Sequence, residues 1–187
     1  MSDNSDTGLI CIENLPIRWS RVDESDVQIA VAASHLLNEE RLRVINGLDE
    51  HRLEIAEEHS GISQELHKLD FKLNLILEMV GQLMSAATQP PVAAPVELTP
   101  SSITWHCVQE VDRGSWLKVE LFLHARYPFP VVMYGEVKSV RKEGEGVQIE
   151  LALQALSEQS LEQFEKYIFR CHRRHIARAR QEAAASD

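Results

Sequence analysis

Between Ile62 and Leu83 the apolar residues Ile62, Leu66, Leu69, Leu73, Ile76, Val80 and Leu83 recur at alternating steps of four and three. This repeat constrains the fold more than any other stretch of the sequence. A 3.5-residue period keeps an apolar seam on one side of a supercoiled helix, whereas the contact stripe of a straight helix drifts away from it. With the four-residue step taken as d to a, Leu66, Leu73 and Val80 occupy a, and Ile62, Leu69, Ile76 and Leu83 occupy d. Leucine at a with isoleucine at d favours assemblies larger than dimers. Leu77, Met79 and Met84 on the flanking positions widen the stripe toward a four-stranded core. The pattern predicts a self-associating helix, with a homotetramer as the expected assembly and parallel and antiparallel arrangements both open.

The seam lies in a longer helical region. No proline occurs from Ser25 to Ala87, and helix formers dominate. Ser25-Asp-Val-Gln28 has the spacing of a capping box, so a helix is expected to begin there. Asn46-Gly47 is a candidate left-handed C-cap and Ser60-Gly61 a second weak point, which would divide the region into two helices or a bent pair. Four prolines between Gln89 and Pro100 then end the helix and read as a semi-extended linker.

Beyond the linker the apolar period changes to two. Residues 103–108, 116–123, 131–140 and 147–153 read as short strands, with Asp112-Arg-Gly114 and Glu143-Gly-Glu-Gly146 as turns. Such regular short strands predict a small antiparallel barrel or sandwich. After Ser157, Leu161, Phe164, Ile168 and Cys171 step by three and four, predicting a helix that docks one face on the barrel. The chain is therefore α+β. It divides into an N-terminal arm (1–22), a helical oligomerisation region (23–87), a Pro-rich linker (88–97) and a barrel with a basic C-terminal helix (98–187).

Charge and composition exclude several functions. A formal charge of −10 disfavours duplex DNA, whose phosphates require clustered cations. The start lacks the basic and apolar segments of a secretory signal, and the longest uncharged stretch, Met79 to Val96, contains three prolines and cannot span a membrane. Cys11, Cys107 and Cys171 have no paired spacing, which fits reduced thiols and a cytoplasmic protein. The eight histidines sit in unrelated contexts, with no nucleophile, base and orienter together, so no catalytic residue is assigned. Cys171 and His175, one helical turn apart, would make half a zinc site, but no second pair of ligands is evident and no metal is assigned. Lys166 to Arg180 carries six cations and no acid. It reads as a solvated helix end facing an acidic neighbour such as 23–60, or as an RNA contact using Tyr167 and Phe169 as stacking rings.

The order of features in the last half of the chain resembles the PilZ domain, a bacterial family of six-stranded antiparallel barrels with a closing helix. The matching pieces are Glu97-Leu-Thr-Pro-Ser-Ser102, Gly114 before the strand at Leu117, Tyr134-Gly-Glu-Val137, Val147-Gln-Ile-Glu-Leu151 and Tyr167-Ile-Phe169. Leu15-Pro-Ile-Arg-Trp19 followed by heptad helices is similar to an atypical subgroup that assembles as a tetramer. In that subgroup a strand near Leu9 to Ile17 would join the barrel and the helices would be an insertion. PilZ receptors hold cyclic di-GMP with an RxxxR loop and a DxSxxG strand motif, in which paired arginines fork onto phosphate and guanine edges. Here the corresponding residues are Arg18-x-x-Arg21, one residue short, and Glu97-x-Thr99-x-x-Ser102. The longer carboxylate and the added Ser102 side chain depart from the motif, and an odd spacing on an extended strand points the two arginines to different faces. The resemblance implies a non-enzymatic signalling adaptor, without a cofactor, that works through an unidentified protein partner. A true cyclic di-GMP receptor is the alternative, and an RNA-binding module the second.

Overall fold

The structure, a computed structural model, describes residues 9–50, 69, 72–73, 75–76, 79–84 and 89–185. Six strands, β1 (Cys11–Arg21), β2 (Ala93–Leu98), β3 (Ser102–Cys107), β4 (Trp116–Leu121), β5 (Val131–Glu143) and β6 (Gly146–Leu153), close into a barrel in the order β1-β2-β3-β6-β5-β4. Every neighbouring pair is antiparallel. Among the described residues two long helices pack against it: α1 (Glu24–Glu50) on β5, and α2 (Glu158–Ala185) on β1 and α1.

Alternation dictates what fills the barrel. Val96 and Leu98, Ile103 and Trp105, Leu117, Val119 and Leu121, and Val147, Ile149 and Leu151 occupy every second position of their strands and are buried. Trp19 and Trp105 meet inside at 6.5 Å between ring centroids. Gly135 has a specific task here, because a Cβ on it would lie 2.3 Å from the Ala152 carbonyl oxygen where β5 crosses β6. Gly114 and Gly144 take the positive φ values of 85° and 60° in the turns read from the sequence.

β1 closes the barrel, and it does more than the arm strand expected over 9–17. Its first half pairs with β2 (Cys11↔Leu98 to Pro16↔Ala93) and its second half with β4 (Ile17↔Leu121 to Arg21↔Leu117). The segment 88–97, expected as a linker, is corrected by this pairing. Its second half is β2, a barrel strand. The prolines hid it, but β2 alternates only over Val96 and Leu98, and Pro95 sits exposed opposite Asn14.

α1 begins at Glu24, after Asp23, whose carbonyl accepts the Asp26 amide at 3.0 Å. Ser25 therefore lies within the first turn, and its hydroxyl meets the Asp26 carboxylate at 3.5 Å instead of forming a capping box with Gln28. Asn46-Gly47 likewise does not terminate the helix, which runs on to Glu50. Asn46 is buried because it is a cross-link: its Nδ2 donates to the Gln163 carbonyl at 3.0 Å and to Gln163 Oε1 at 2.7 Å, and its Oδ1 accepts from Arg170. Asn38 does the same for the sheet. It donates to the Val132 carbonyl at 2.7 Å and accepts the Val132 amide at 3.0 Å, taking the place of a strand at the start of β5.

α2 starts where Ser157 caps it, accepting the Ser160 amide at 3.2 Å and donating to Glu39 of α1 at 2.7 Å. Phe164, Tyr167, Ile168 and Cys171 form its buried face. Tyr167 Oη reaches Glu13 at 2.9 Å and the Leu123 carbonyl at 3.2 Å, and Arg174 reaches the other Glu13 oxygen at 3.0 Å. Cys11 and Cys171 are joined in a disulfide, with Cα atoms 5.5 Å apart. This corrects the reading of all three cysteines as unpaired thiols. A separation of 160 residues conceals neighbours that β1 and α2 bring together.

Candidate functional site

Two surfaces correspond to the sequence-derived sites: the barrel wall carrying the nucleotide-motif residues, and the helical residues carrying the seam. On the wall, Arg18 faces outward on β1, opposite Glu120 of β4. Its guanidinium donates to Glu120 at 3.3 Å and to the Gln89 carbonyl at 2.9 Å, and it lies 5.9 Å from the Phe122 ring centroid. Lys118 approaches the same carboxylate at 2.7 Å. Partial burial alone would raise the Glu120 carboxyl, but the hydrogen bonds and charges of Lys118 and Arg18 outweigh it and hold the group below its ordinary value. Arg21, three residues on, points to the other face of β1 and donates to the Glu110 carbonyl at 3.0 Å. The odd spacing thus separates the two arginines, as their positions on an extended strand require.

Glu97 lies opposite Ile12 on the outer wall. Arg18 lies six residue steps along β1 from Ile12, about 20 Å of extended strand. Thr99 and Ser102 are farther still, beyond the Cys11↔Leu98 pair. Both hydroxyls serve the β2–β3 turn: Thr99 Oγ1 accepts the Ser102 amide at 2.9 Å and meets the Ser102 hydroxyl at 2.8 Å, while the Thr99 amide donates to the Ser102 carbonyl at 2.9 Å. The fold does not bring Arg18 and Arg21 together with Glu97, Thr99 and Ser102.

Of the seam residues, Ile62 and Leu66 lie outside the described residues. Leu69, Leu73, Ile76, Val80 and Leu83 are helical and exposed in the single chain, from 48% at Val80 to 72% at Leu83. On the same segment Gly81 is buried, with its Cβ position 3.1 Å from the Arg126 carbonyl oxygen, so its bare backbone lies against Arg126 of the loop after β4. The described seam residues are left open while Gly81 meets the loop between β4 and β5.

The basic stretch of α2 is not one continuous charged face. Lys166 pairs with Glu162 at 2.8 Å, Arg174 with Glu13 at 3.0 Å, and Arg170 with Asn46, while the Arg173 guanidinium lies 5.8 Å from the centroid of the exposed Phe169 ring. Tyr167 is buried and unavailable as a stacking ring. Among the described residues the cluster able to offer metal ligands is Cys11, Glu13 and Cys171, not Cys171 with His175. Glu13 and Cys11 escaped the sequence reading because nothing local marks a strand residue as the partner of a helix at the far end of the chain. The one legible sign was Cys171 on the docking face of its helix.

A closed six-stranded antiparallel barrel, sealed by an N-terminal strand and a C-terminal helix, defines a PilZ-like fold. The family model described as "Atypical PilZ domain, cyclic di-GMP receptor" matches residues 42–181, and the chain belongs to that family. Among solved structures, a pathogenic protein from Xanthomonas campestris, described as a new tetrameric PilZ domain self-assembled via an unusual helical bundle, aligns with a TM-score of 0.72 at 22% identity. It covers 90% of each chain. The Bacillus subtilis inhibitor of motility aligns over 46% of this chain and 43% of its own at 12% identity, and its TM-score of 0.38 carries no weight. A comparison with curated protein sequences finds no match. No described helix is long and apolar enough to cross a membrane.

Proposed function

We propose that this protein is a non-enzymatic PilZ adaptor in cyclic di-GMP-linked regulation. In this reading four chains assemble through the Ile62–Leu83 seam and present their barrels to a protein partner in the cytoplasm. The observation that carries the reading is the separation of Arg18 and Arg21 from Glu97, Thr99 and Ser102 by about 20 Å of strand. Each of these groups except Glu97 is already committed to a contact within the chain. Charge-assisted arginine forks supply most of the recognition of a phosphodiester dinucleotide, so dispersing them removes the grip. The exposed Leu69, Leu73, Ile76, Val80 and Leu83 support the assembly, because a row of large apolar side chains in water is covered in a stable protein.

The family description as a cyclic di-GMP receptor favours a second reading, in which the dinucleotide binds directly. Calorimetric titration of the full chain with cyclic di-GMP separates the two. The adaptor reading expects no heat of binding at micromolar ligand. Saturable binding that disappears in Arg18→Ala or Arg21→Ala would establish the receptor instead.

A further inference from the structure

Cys11 opens β1 and Cys171 lies in the middle of α2, and both are buried, at 0% and 1% exposure. Their Cα separation of 5.5 Å is the spacing a disulfide requires without backbone movement. The bond stands where the docked half of α2 gives way to its exposed, basic half: Phe164, Tyr167 and Ile168 precede it in the core, and Arg173, His175 and Ile176 follow in solvent. Around it, β1 and α2 are held by Tyr167 and Arg174 on Glu13, and by His172 Nδ1 against the Ile10 carbonyl at 2.9 Å. The Glu13 carboxylate lies within 4.8 Å of both sulfurs. Glu13 also lines an open hollow of about 510 Å³ with Ile12, Asn14, Leu15, Leu123 and Ala125, so solvent reaches the neighbourhood of the bridge on that side.

We propose that Cys11 and Cys171 form a reversible redox-modification site, in which a low-molecular-weight disulfide oxidises the pair and thereby locks the basic half of α2 onto β1. One thiol loses its proton to solvent and attacks the small disulfide as thiolate, forming a mixed disulfide and releasing one small thiolate, which takes up that proton. The second thiol displaces the other small thiol. The protein loses two electrons and two protons, and both pass to the oxidant, which leaves as two thiols. Cys107 does not take part. It lies on β3, its Sγ donates to the Gln109 carbonyl at 3.2 Å, and partial burial pushes its thiol up despite that bond.

Because the bond joins residues 160 apart, it constrains the unfolded chain strongly. The full chain carrying Cys107→Ser should be equilibrated with oxidised or reduced glutathione, unfolded, and alkylated for mass measurement. The oxidised sample is expected to lack alkylation and to weigh two hydrogens less than the unalkylated reduced chain. It should melt about 10 °C above the reduced one and resist tryptic cleavage at Arg173 several-fold longer. Cys11→Ala is expected to abolish the difference between the two samples, and Cys171→Ala to repeat that result if one variant folds poorly. Two alkylated thiols after equilibration with oxidised glutathione, or equal melting and cleavage in both states, would overturn the proposal. So would one zinc ion per reduced chain that protects both thiols from oxidation.

Discussion

The barrel and the helical residues between 69 and 84 carry the same kinds of apolar side chain and treat them in opposite ways. In the barrel, Ile103, Leu117, Leu121, Ile149 and Leu151 are wholly buried, and the sheet has no open edge because β1 bridges β2 and β4. Where β5 begins without a neighbour on one side, Asn38 supplies the missing hydrogen bonds. Between 69 and 84, Leu73 is 63% exposed and Leu83 72%. The barrel is complete within one chain. In the proposed assembly other copies cover the seam, and fold and assembly are then encoded in separable stretches.

The largest effect is expected from Leu69→Asp combined with Leu73→Asp. Charges placed in an apolar seam lose hydration without gaining partners, so the variant should elute from size exclusion with light scattering as a monomer. Its barrel should melt within a few degrees of wild type. An assembly that survives would place the interface elsewhere; a barrel that unfolds would show that the two regions are not separable.

Asn38→Ala should do the reverse. It leaves the Val132 amide and carbonyl without their side-chain partner and is expected to cost about 2 kcal/mol in chemical denaturation, with assembly unchanged. A cost near zero would mean that water replaces the amide at the β5 edge.

The smallest effect is expected from acid. Glu120 sits between Lys118 and Arg18. Glu150 accepts from Ser139 at 2.9 Å and pairs with Lys138 at 3.2 Å. Burial would raise both carboxyls, but these hydrogen bonds and charges hold them below the ordinary value of 4.5. A carboxyl depressed in the folded state contributes stability that is present above its unfolded value and is lost as pH falls through the folded one. The barrel should therefore lose on the order of 1 kcal/mol as pH drops below 4.5, and Glu120→Gln should flatten that loss. A variant with an unchanged acid slope would assign the loss to other groups.

Much of the barrel was legible because its signals are local. The alternation at 103–108, 116–123, 131–140 and 147–153, Gly114 and Gly144 in the turns, and the 3.6-residue face of Phe164, Ile168 and Cys171 each depend on neighbours only a few residues away. What escaped depends on tertiary contact. β2 looked like linker because Pro95 and two alanines mask a strand whose pairing is supplied by β1 and β3. Asn46 looked like a helix end because a buried asparagine bound to Gln163 has the same local sequence as a C-cap. Of the candidate nucleotide residues, Arg18 and Arg21 have an odd spacing that is legible in the sequence and that an extended strand turns to different faces. The distance from Glu97, and the use of Thr99 and Ser102 to close a turn, follow from register and could not be read from spacing.

Sedimentation equilibrium of the wild-type chain, across a concentration series reaching the low micromolar range, tests the central division between a self-sufficient barrel and an assembling seam most directly. Four chain masses, maintained on dilution to low micromolar protein, are the predicted result. A single chain mass throughout the series would contradict it, because Leu69, Leu73, Ile76, Val80 and Leu83 would then stand uncovered in water in a stable monomer.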